Sequence, residues 1–184
     1  MRNQRVRMVV EAGMAIALTA ILHQIKVYQM PFGGAVTAGS MIPLLIIALR
    51  WGPGIGMIAG AAYGLIDYMF EPWFLTPWQF LLDYPVPFAL LGLAGLLRRQ
   101  PYLGVALGVA GRFASHLLSG VIYWAASADQ VQAGMNPWVY SAIYNGQYLI
   151  PELILALALL AALMPTFRQQ GFLLPAGQRR GGAR

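Results

Sequence analysis

Long apolar runs alternate along the chain with short stretches of turn-forming and polar residues. A helix that crosses a bilayer needs about 20 mostly apolar residues. Six segments approach that length, over residues 8–28, 36–50, 54–70, 79–97, 102–126 and 137–165. The second and third are the shortest. Between the segments lie Pro31-Phe32-Gly33-Gly34, Gly52-Pro53-Gly54, Glu71-Pro72 with Thr76-Pro77, Gln100-Pro101, and the stretch from Gly134 to Pro137. Such Pro and Gly combinations end a helix or turn the chain. The pattern predicts an all-α integral membrane protein of six transmembrane helices, with residues 1–165 as a single membrane domain.

Composition agrees with that pattern. Hydrophobic residues make up 59% of the 184 positions and charged residues 10%, against roughly 45–50% and about 25% in soluble domains. The formal net charge of +6 does not indicate nucleic acid, because a nucleic-acid binder carries its cations as a patch on a soluble fold. Here they fall between apolar runs. The chain has no cysteine, which excludes a disulfide framework and thiolate–metal chemistry. Arg2, Arg5 and Arg7 precede the first run as in a signal peptide, but the run is too long for one and more spans follow.

The arginines also orient the bundle, since Lys and Arg collect on the cytoplasmic side. With six spans, Arg2, Arg5, Arg7, Arg50, Arg98, Arg99, Arg168, Arg179, Arg180 and Arg184 share one side, and the other holds only Lys26. Both termini are therefore expected in the cytoplasm. Residues 166–184, rich in Gly, Arg and Gln, read as a basic tail, disordered or lying on anionic headgroups.

Polar residues inside the runs are costly in lipid and point to function. Gly104, Gly108, Arg112, His116, Gly120 and Trp124 recur every four residues and so share one helix face. At about 1.5 Å per residue, His116, Gly120 and Trp124 fall in the outer half of the fifth segment. Tyr140, Tyr144, Asn145 and Tyr148 fall in the outer half of the sixth, and Asp83 about one turn below the outer surface. Arg112 and Glu152 sit at matching depth, where an ion pair fixing how two helices dock is preferred to a ligand role. Asp67, near the end of the third segment, reads as solvated. Small-residue faces serve close helix contact in lipid. That accounts for Gly52, Gly56, Gly60 and Gly64 as internal packing, and leaves Gly13 and Ala17 either to internal packing or to docking of another membrane subunit.

Asp83 has no basic residue at its level. Such a carboxylate must be protonated, bonded to donors, or awaiting a cationic ligand. Trp124, Tyr84, Tyr140 and Tyr144 offer ring faces that attract cations and stack on flat heterocycles. His116 and Asn145 offer donors and acceptors for a ring edge. Together they describe a pocket for a small, flat, cationic, nitrogen-rich molecule. Catalysis finds little support: Ser119 and His116 are neighbours on one helix without a strained nucleophile loop, and no carboxylate-rich metal cluster is present. A phosphate-binding glycine loop is also missing, so the energy for any active transport comes from elsewhere.

Leu49-Arg50-Trp51-Gly52, the run from Gln79 to Pro85, the run from Gly92 to Leu96, His116 with Gly120 and Trp124, and Tyr140 with Tyr144-Asn145-Gly146 resemble one known family. It is the thiamine-specific substrate-binding (S) component of energy-coupling factor transporters, and the similarity covers nearly all of residues 7–165. The resemblance implies six helices in the bacterial plasma membrane that bind thiamine tightly from outside. It also implies a membrane coupling subunit and two cytoplasmic ATPases as partners, with no cofactor or catalysis of the chain's own. By the same resemblance Asp83 would face the thiazolium or aminopyrimidine, and Trp124 and His116 would stack on or bond the pyrimidine. Tyr140, Asn145 and Tyr84 would add polar contacts, Trp73 would border the pocket, and Gly120 would leave room for the ring. Gly13 and Ala17 resemble the motif that docks the coupling subunit. Two departures stand out. Asp replaces the longer Glu of some relatives, and Gly33-Gly34 occupies the place of a lid tryptophan, leaving Phe32 or Tyr28 as substitutes in a gate over Met30 to Ser40. An S component for another vitamin or for the aminopyrimidine precursor, an intramembrane enzyme, and a structural membrane subunit are the alternatives.

Overall fold

The structure, a computed structural model, describes residues 2–73, 76–126 and 135–172. Its first helix, α1 (Arg2–Gln24), is followed by a hairpin of β1 (Lys26–Gln29) and β2 (Ala35–Thr37) with a single 3₁₀ turn, Pro31–Gly33, at its tip. Helices α2 (Met41–Trp51), α3 (Pro53–Phe70), α4 (Pro77–Asp83) and α5 (Pro85–Leu90) come next, and a 3₁₀ segment over Leu91–Leu97 continues α5. Two long helices, α6 (Pro101–Ala126) and α7 (Pro137–Gln169), complete the fold. Residues 173–184, most of the expected basic tail, lie outside the described residues. The packed part extends past Pro165, since α7 continues through that proline and Phe172 packs against Arg50.

Sequence features explain most of these limits. Pro53, Pro77, Pro101 and Pro137 each stand at the first position of a helix, where their fixed φ suits the turn and their missing N–H costs nothing. Thr76 and Asn136 accept from the amides of Gln79 and Trp138 as N-caps. Two expectations need correction. The apolar run predicts helix through residue 28, but Lys26–Gln29 pairs antiparallel with β2, Tyr28 opposite Val36 and Gln29 opposite Ala35. Short apolar stretches rich in β-branched and aromatic residues do not distinguish strand from helix by hydropathy alone. The fourth segment is also not one helix. It breaks at Tyr84 (φ −115°, ψ −81°), because the residue before a proline is forced away from helical geometry. Asp83 therefore sits at the end of α4 rather than within a continuous helix.

Among the described residues, four stretches are long and apolar enough to cross a membrane: Asn3–Gln24, Pro77–Leu97, Pro101–Trp124 and Pro137–Gln169. Helix α2 is apolar but only 11 residues long. It lies at the centre of the bundle, with Leu44, Leu45, Ala48 and Leu49 buried beside Tyr63, Phe88, Leu91 and Val105. The outer surface is apolar as well. Val9, Met14, Leu18 and Ile21 of α1, Ile58 and Leu65 of α3, and Ile150 and Ile154 of α7 are all exposed. Polar groups inside and aliphatic groups outside is the arrangement lipid demands, and the protein is a membrane protein.

The end of the bundle that carries the arginines is tied by a buried cation. Arg50 donates to Glu11 of α1 through Nε (2.5 Å) and Nη2 (2.8 Å) and to the carbonyl of Phe172 (2.5 Å). Its guanidinium lies 3.7 Å from the Phe172 ring centroid. Arg7 and the Trp51 indole also donate to Glu11. This group joins α1, α2 and the end of α7, and its hydrogen bonds offset much of the cost of burying charge.

The α3 glycines pack as expected, against the broken fourth segment. A Cβ on Gly60 would lie 2.0 Å from the Phe88 carbonyl oxygen, and one on Gly64 would lie 2.2 Å from that of Tyr84. Gly64→Ala should therefore push α5 away and destabilise the protein by about 1–3 kcal/mol. Gly54→Ala, with nothing within 4 Å of the added methyl, should be neutral or mildly stabilising. Thermal unfolding in detergent checks the order of the two, and equal melting temperatures would contradict the packing.

Candidate ligand-binding site

A cavity of about 320 Å³ opens among the ends of α1, α3, α4, α6 and α7, beneath the hairpin tip. Its size falls at the lower end of the roughly 300–1,000 Å³ typical of small-molecule sites. Asp83, Tyr84, Trp73, His116, Gly120, Trp124, Tyr144 and Asn145 all line it. Tyr140 does not. It packs edge-on behind Trp124, ring centroids 4.6 Å apart.

Asp83 is bound on both oxygens. Ser119 Oγ donates to Oδ2 at 2.6 Å, and His116 Nδ1 lies 3.1 Å from Oδ1. Arg112 Nε donates to the other ring nitrogen, His116 Nε2, at 3.3 Å. That bond requires a lone pair on Nε2, so the ring is the neutral tautomer with its proton on Nδ1, and Nδ1 donates to the carboxylate. Among the described residues Asp83 thus has two neutral donors and no guanidinium against it. Ser119 serves the carboxylate rather than the imidazole, so the serine–histidine pair a nucleophilic enzyme needs is not assembled. Among the described residues no group of three metal-binding side chains occurs.

The expected ion pair between Arg112 and Glu152 is not formed. Arg112 turns toward His116 and places its guanidinium 4.4 Å from the Phe88 ring centroid. Glu152 turns toward the hairpin, where Oε1 accepts from the amide and the hydroxyl of Thr37. Counting residues along two helices matches their depth but says nothing about which way each side chain points around its axis.

Several pocket residues spend their polar atoms on the frame. Tyr84 donates to the carbonyl of Glu71 (2.6 Å) and accepts from the Trp73 amide (2.9 Å). Tyr144 donates to the carbonyl of Pro31 and accepts from the Gly34 amide. Asn145 Nδ2 donates to Ser141 and to the carbonyl of His116, and its oxygen accepts from the Tyr148 hydroxyl at 2.8 Å. Tyr84 and Asn145 thus hold the frame while each keeps an oxygen lone pair beyond these bonds. Gly120 lines the cavity and also admits α7, since a Cβ there would lie 2.2 Å from Ser141 Oγ. Trp124 is buried and meets Tyr123 edge-on at 4.5 Å, while Trp73, partly exposed, meets the same Tyr123 at 5.2 Å.

Sequence reasoning left several lining residues out of the site. Ser119 was weighed only as a nucleophile, although its spacing of three from His116 already placed it on the same face. Tyr148 was placed at the right depth but given no role. His23 and Asp67 also line the cavity, with Nε2 of the one 3.4 Å from Oδ1 of the other. Asp67, expected to be solvated, is buried. Lys26 pairs with Glu71. Of the two candidate lids, Tyr28 is exposed on β1 and lines no part of the cavity, and the side chain of Phe32 lies outside the described part.

Comparison with known proteins agrees with these features. The family model described as "Thiamine transporter protein (Thia_YuaJ)" matches residues 9–171. A protein of Bacillus subtilis named thiamine transporter ThiT is 31% identical over 155 residues, covering 75% of this chain and 79% of its own. One of the same name from Lacticaseibacillus paracasei is 28% identical over 175 residues, covering 83% and 82%. Among solved structures, ThiT from Listeria monocytogenes shares the fold with a TM-score of 0.79 at 20% identity, over 94% of this chain and 100% of that one. Relatives with these names are transporters and not enzymes, and with a family match that runs from α1 to beyond the end of α7, this chain belongs to the thiamine transporter protein family.

Proposed function

We propose that the chain is the thiamine-binding S component of an energy-coupling factor transporter in the bacterial plasma membrane. It captures the vitamin from outside, and a membrane coupling subunit and two cytoplasmic ATPases complete ATP-driven import. In this reading the chain crosses the bilayer six times with both termini in the cytoplasm, and the cavity opens to the exterior. The observation that carries the reading is Asp83, a carboxylate bonded by two neutral donors in a cavity that Trp124 also lines and that is sized for one small molecule. A cationic heterocycle supplies the missing positive charge and a face for the indole. The cavity continues past Asp83 to His23 and Asp67, which supports the whole vitamin over its aminopyrimidine portion alone.

In this reading the cavity residues take the following roles. Asp83 meets the thiazolium or the aminopyrimidine, Trp124 and Trp73 supply the rings, and His116 holds Asp83 in place. Tyr84, Tyr144, Asn145 and Gly120 shape the walls, and Tyr140 backs Trp124. On α1, Gly13 and Ala17 are exposed among Val10, Met14 and Ile21, and a Cβ on Gly13 would meet nothing within 4 Å. A small-residue stripe unused by internal packing supports docking of the coupling subunit there.

Thiamine added to the purified protein should quench tryptophan fluorescence at submicromolar concentration, and silence at high micromolar concentration would reject the assignment. Asp83→Asn should weaken binding by about 1.5–3 kcal/mol through loss of a charge-assisted contact. Titration calorimetry measures the loss, and wild-type affinity in the variant would remove Asp83 from the ligand's partners. Gly13→Trp with Ala17→Trp should leave thiamine binding intact while abolishing uptake by cells and copurification of the coupling subunit. Undiminished uptake would place the docking face elsewhere.

A further inference from the structure

Helix α1 exposes Val9, Met14, Leu18 and Ile21 on one side and packs on α2 and α3 on the other. Both sides are apolar, and burial of apolar surface gives no drive in lipid, so hydropathy alone does not fix how this helix is turned about its axis. Polar bonds fix it at two levels, at Glu11 and, about three turns further on, at His23, which meets Asp67. Between them, among the described residues, the buried Thr19 hydroxyl has no partner. The bond at Glu11 is directional. Arg50 holds both its oxygens, Oε2 through Nε at 2.5 Å and Oε1 through Nη2 at 2.8 Å, and the Trp51 indole donates to Oε2 at 2.7 Å. A two-pronged pair of this kind sets angle as well as distance. The Arg50 side chain is fully buried, and its bonds to the carbonyl and the ring of Phe172 keep it from following α1 if that helix turns.

Successive residues of a helix stand about 100° apart. Glu11, Ala15 and Thr19 therefore share one face, and the last two are buried. Gly13 stands about 200° and Ala17 about 240° around the axis from Glu11, on the opposite face, where both are exposed. We infer that Glu11 and Arg50 are positioning residues for partner docking: their clamp fixes the turn of α1 and so aims Gly13 and Ala17 outward at the coupling subunit. The inference rests on the reading of that face as the docking surface, and what it adds is the device that holds the surface in place. Through Phe172 the clamp also ties the docking helix to the end of α7. Neither Glu11, Arg50, Trp51 nor Phe172 lines the cavity, so the clamp acts on the partner and not on the ligand.

Removing one partner alone would leave a buried charge unpaired, so the experiment removes both. Glu11→Leu with Arg50→Met, in the full-length protein, should bind thiamine with near wild-type affinity by calorimetry. The same variant should lose about tenfold in uptake by cells and in copurification of the coupling subunit, as when one good interface contact is lost. The chain has no cysteine, so spin labels at Met14→Cys on α1 and Ile154→Cys on α7, both exposed positions, read the turn of the helix directly. Their distance distribution should shift or broaden in the double variant. If that variant does not fold, Arg50→Lys decides, because it keeps the charge and loses the fork; it should show the same split between uptake and thiamine binding. Undiminished uptake in a folded variant would overturn the inference, and so would an unchanged distance distribution. Equal losses of thiamine affinity and of uptake would also overturn it, since they mark a general structural role. Undiminished uptake in Gly13→Trp with Ala17→Trp would instead remove the docking reading, and this role of the clamp with it.

Discussion

A carboxylate bonded only by neutral donors keeps its attraction for a cation, and much of this protein serves to hold Asp83 in that condition. Arg112, whose Nε bonds His116, is held off the carboxylate with the imidazole between them. The imidazole passes on orientation without passing on charge: its Nε2 accepts, so its Nδ1 must donate to Asp83. A guanidinium placed directly on the carboxylate would have neutralised it. Leaving both oxygens bare would have favoured the protonated acid. Two neutral bonds lie between those extremes, and they suit a site that must be polar before its cationic guest arrives.

The backbone around Asp83 is built to the same end. Proline at position 85 breaks the fourth apolar segment, so Asp83 closes α4 instead of being locked within a longer helix. The carbonyl of Tyr84 at that break lies against Gly64, where any larger residue would collide with it. Close packing of α3 on α5 thus fixes the break's position, and with it the distance from Asp83 to Ser119 and His116 on α6. On the far side, Gly120 lets Ser141 come within contact of α6, and Ser141 and Asn145 bind the carbonyls of Leu117 and His116. The two glycines act on opposite flanks of one site.

Much of this was legible in the sequence, and what was hidden has a common cause. The apolar runs gave the helices, the proline and glycine pairs gave their limits, and the four-residue spacing of Arg112, His116, Gly120 and Trp124 gave the inward face of α6. Depth could be counted, so Asp83, Trp124 and Asn145 were brought to one level. Direction around each helix could not. Arg112 and Glu152 share a depth yet turn toward Phe88 and Thr37, and Asp67 faces inward where its position near a helix end suggested solvent. The hairpin was hidden for a different reason: residues 25–28 continue an apolar run, and only pairing with residues 35–37, across the Pro-Gly turn, makes them a strand.

The walls of the cavity also divide by what their polar atoms do. On the α6–α7 side, Asn145 is held by Ser141, His116 and Tyr148, a closed network within two long helices that leaves little freedom to the residues it orients. On the other side the tethers run to loops. Tyr84 places its ring in the cavity and its hydroxyl on the backbone at residues 71 and 73, and Tyr144 does the same for residues 31 and 34 of the hairpin. A ring that is both wall and tether cannot shift without moving the segment it holds. Movement of Tyr84 or Tyr144 therefore acts on the two loops that border the cavity, while His116 and Asn145 are held between two helices. The cavity is thereby bounded by a helix network on one side and tethered loops on the other, and the tyrosine hydroxyls hold the loops to the frame.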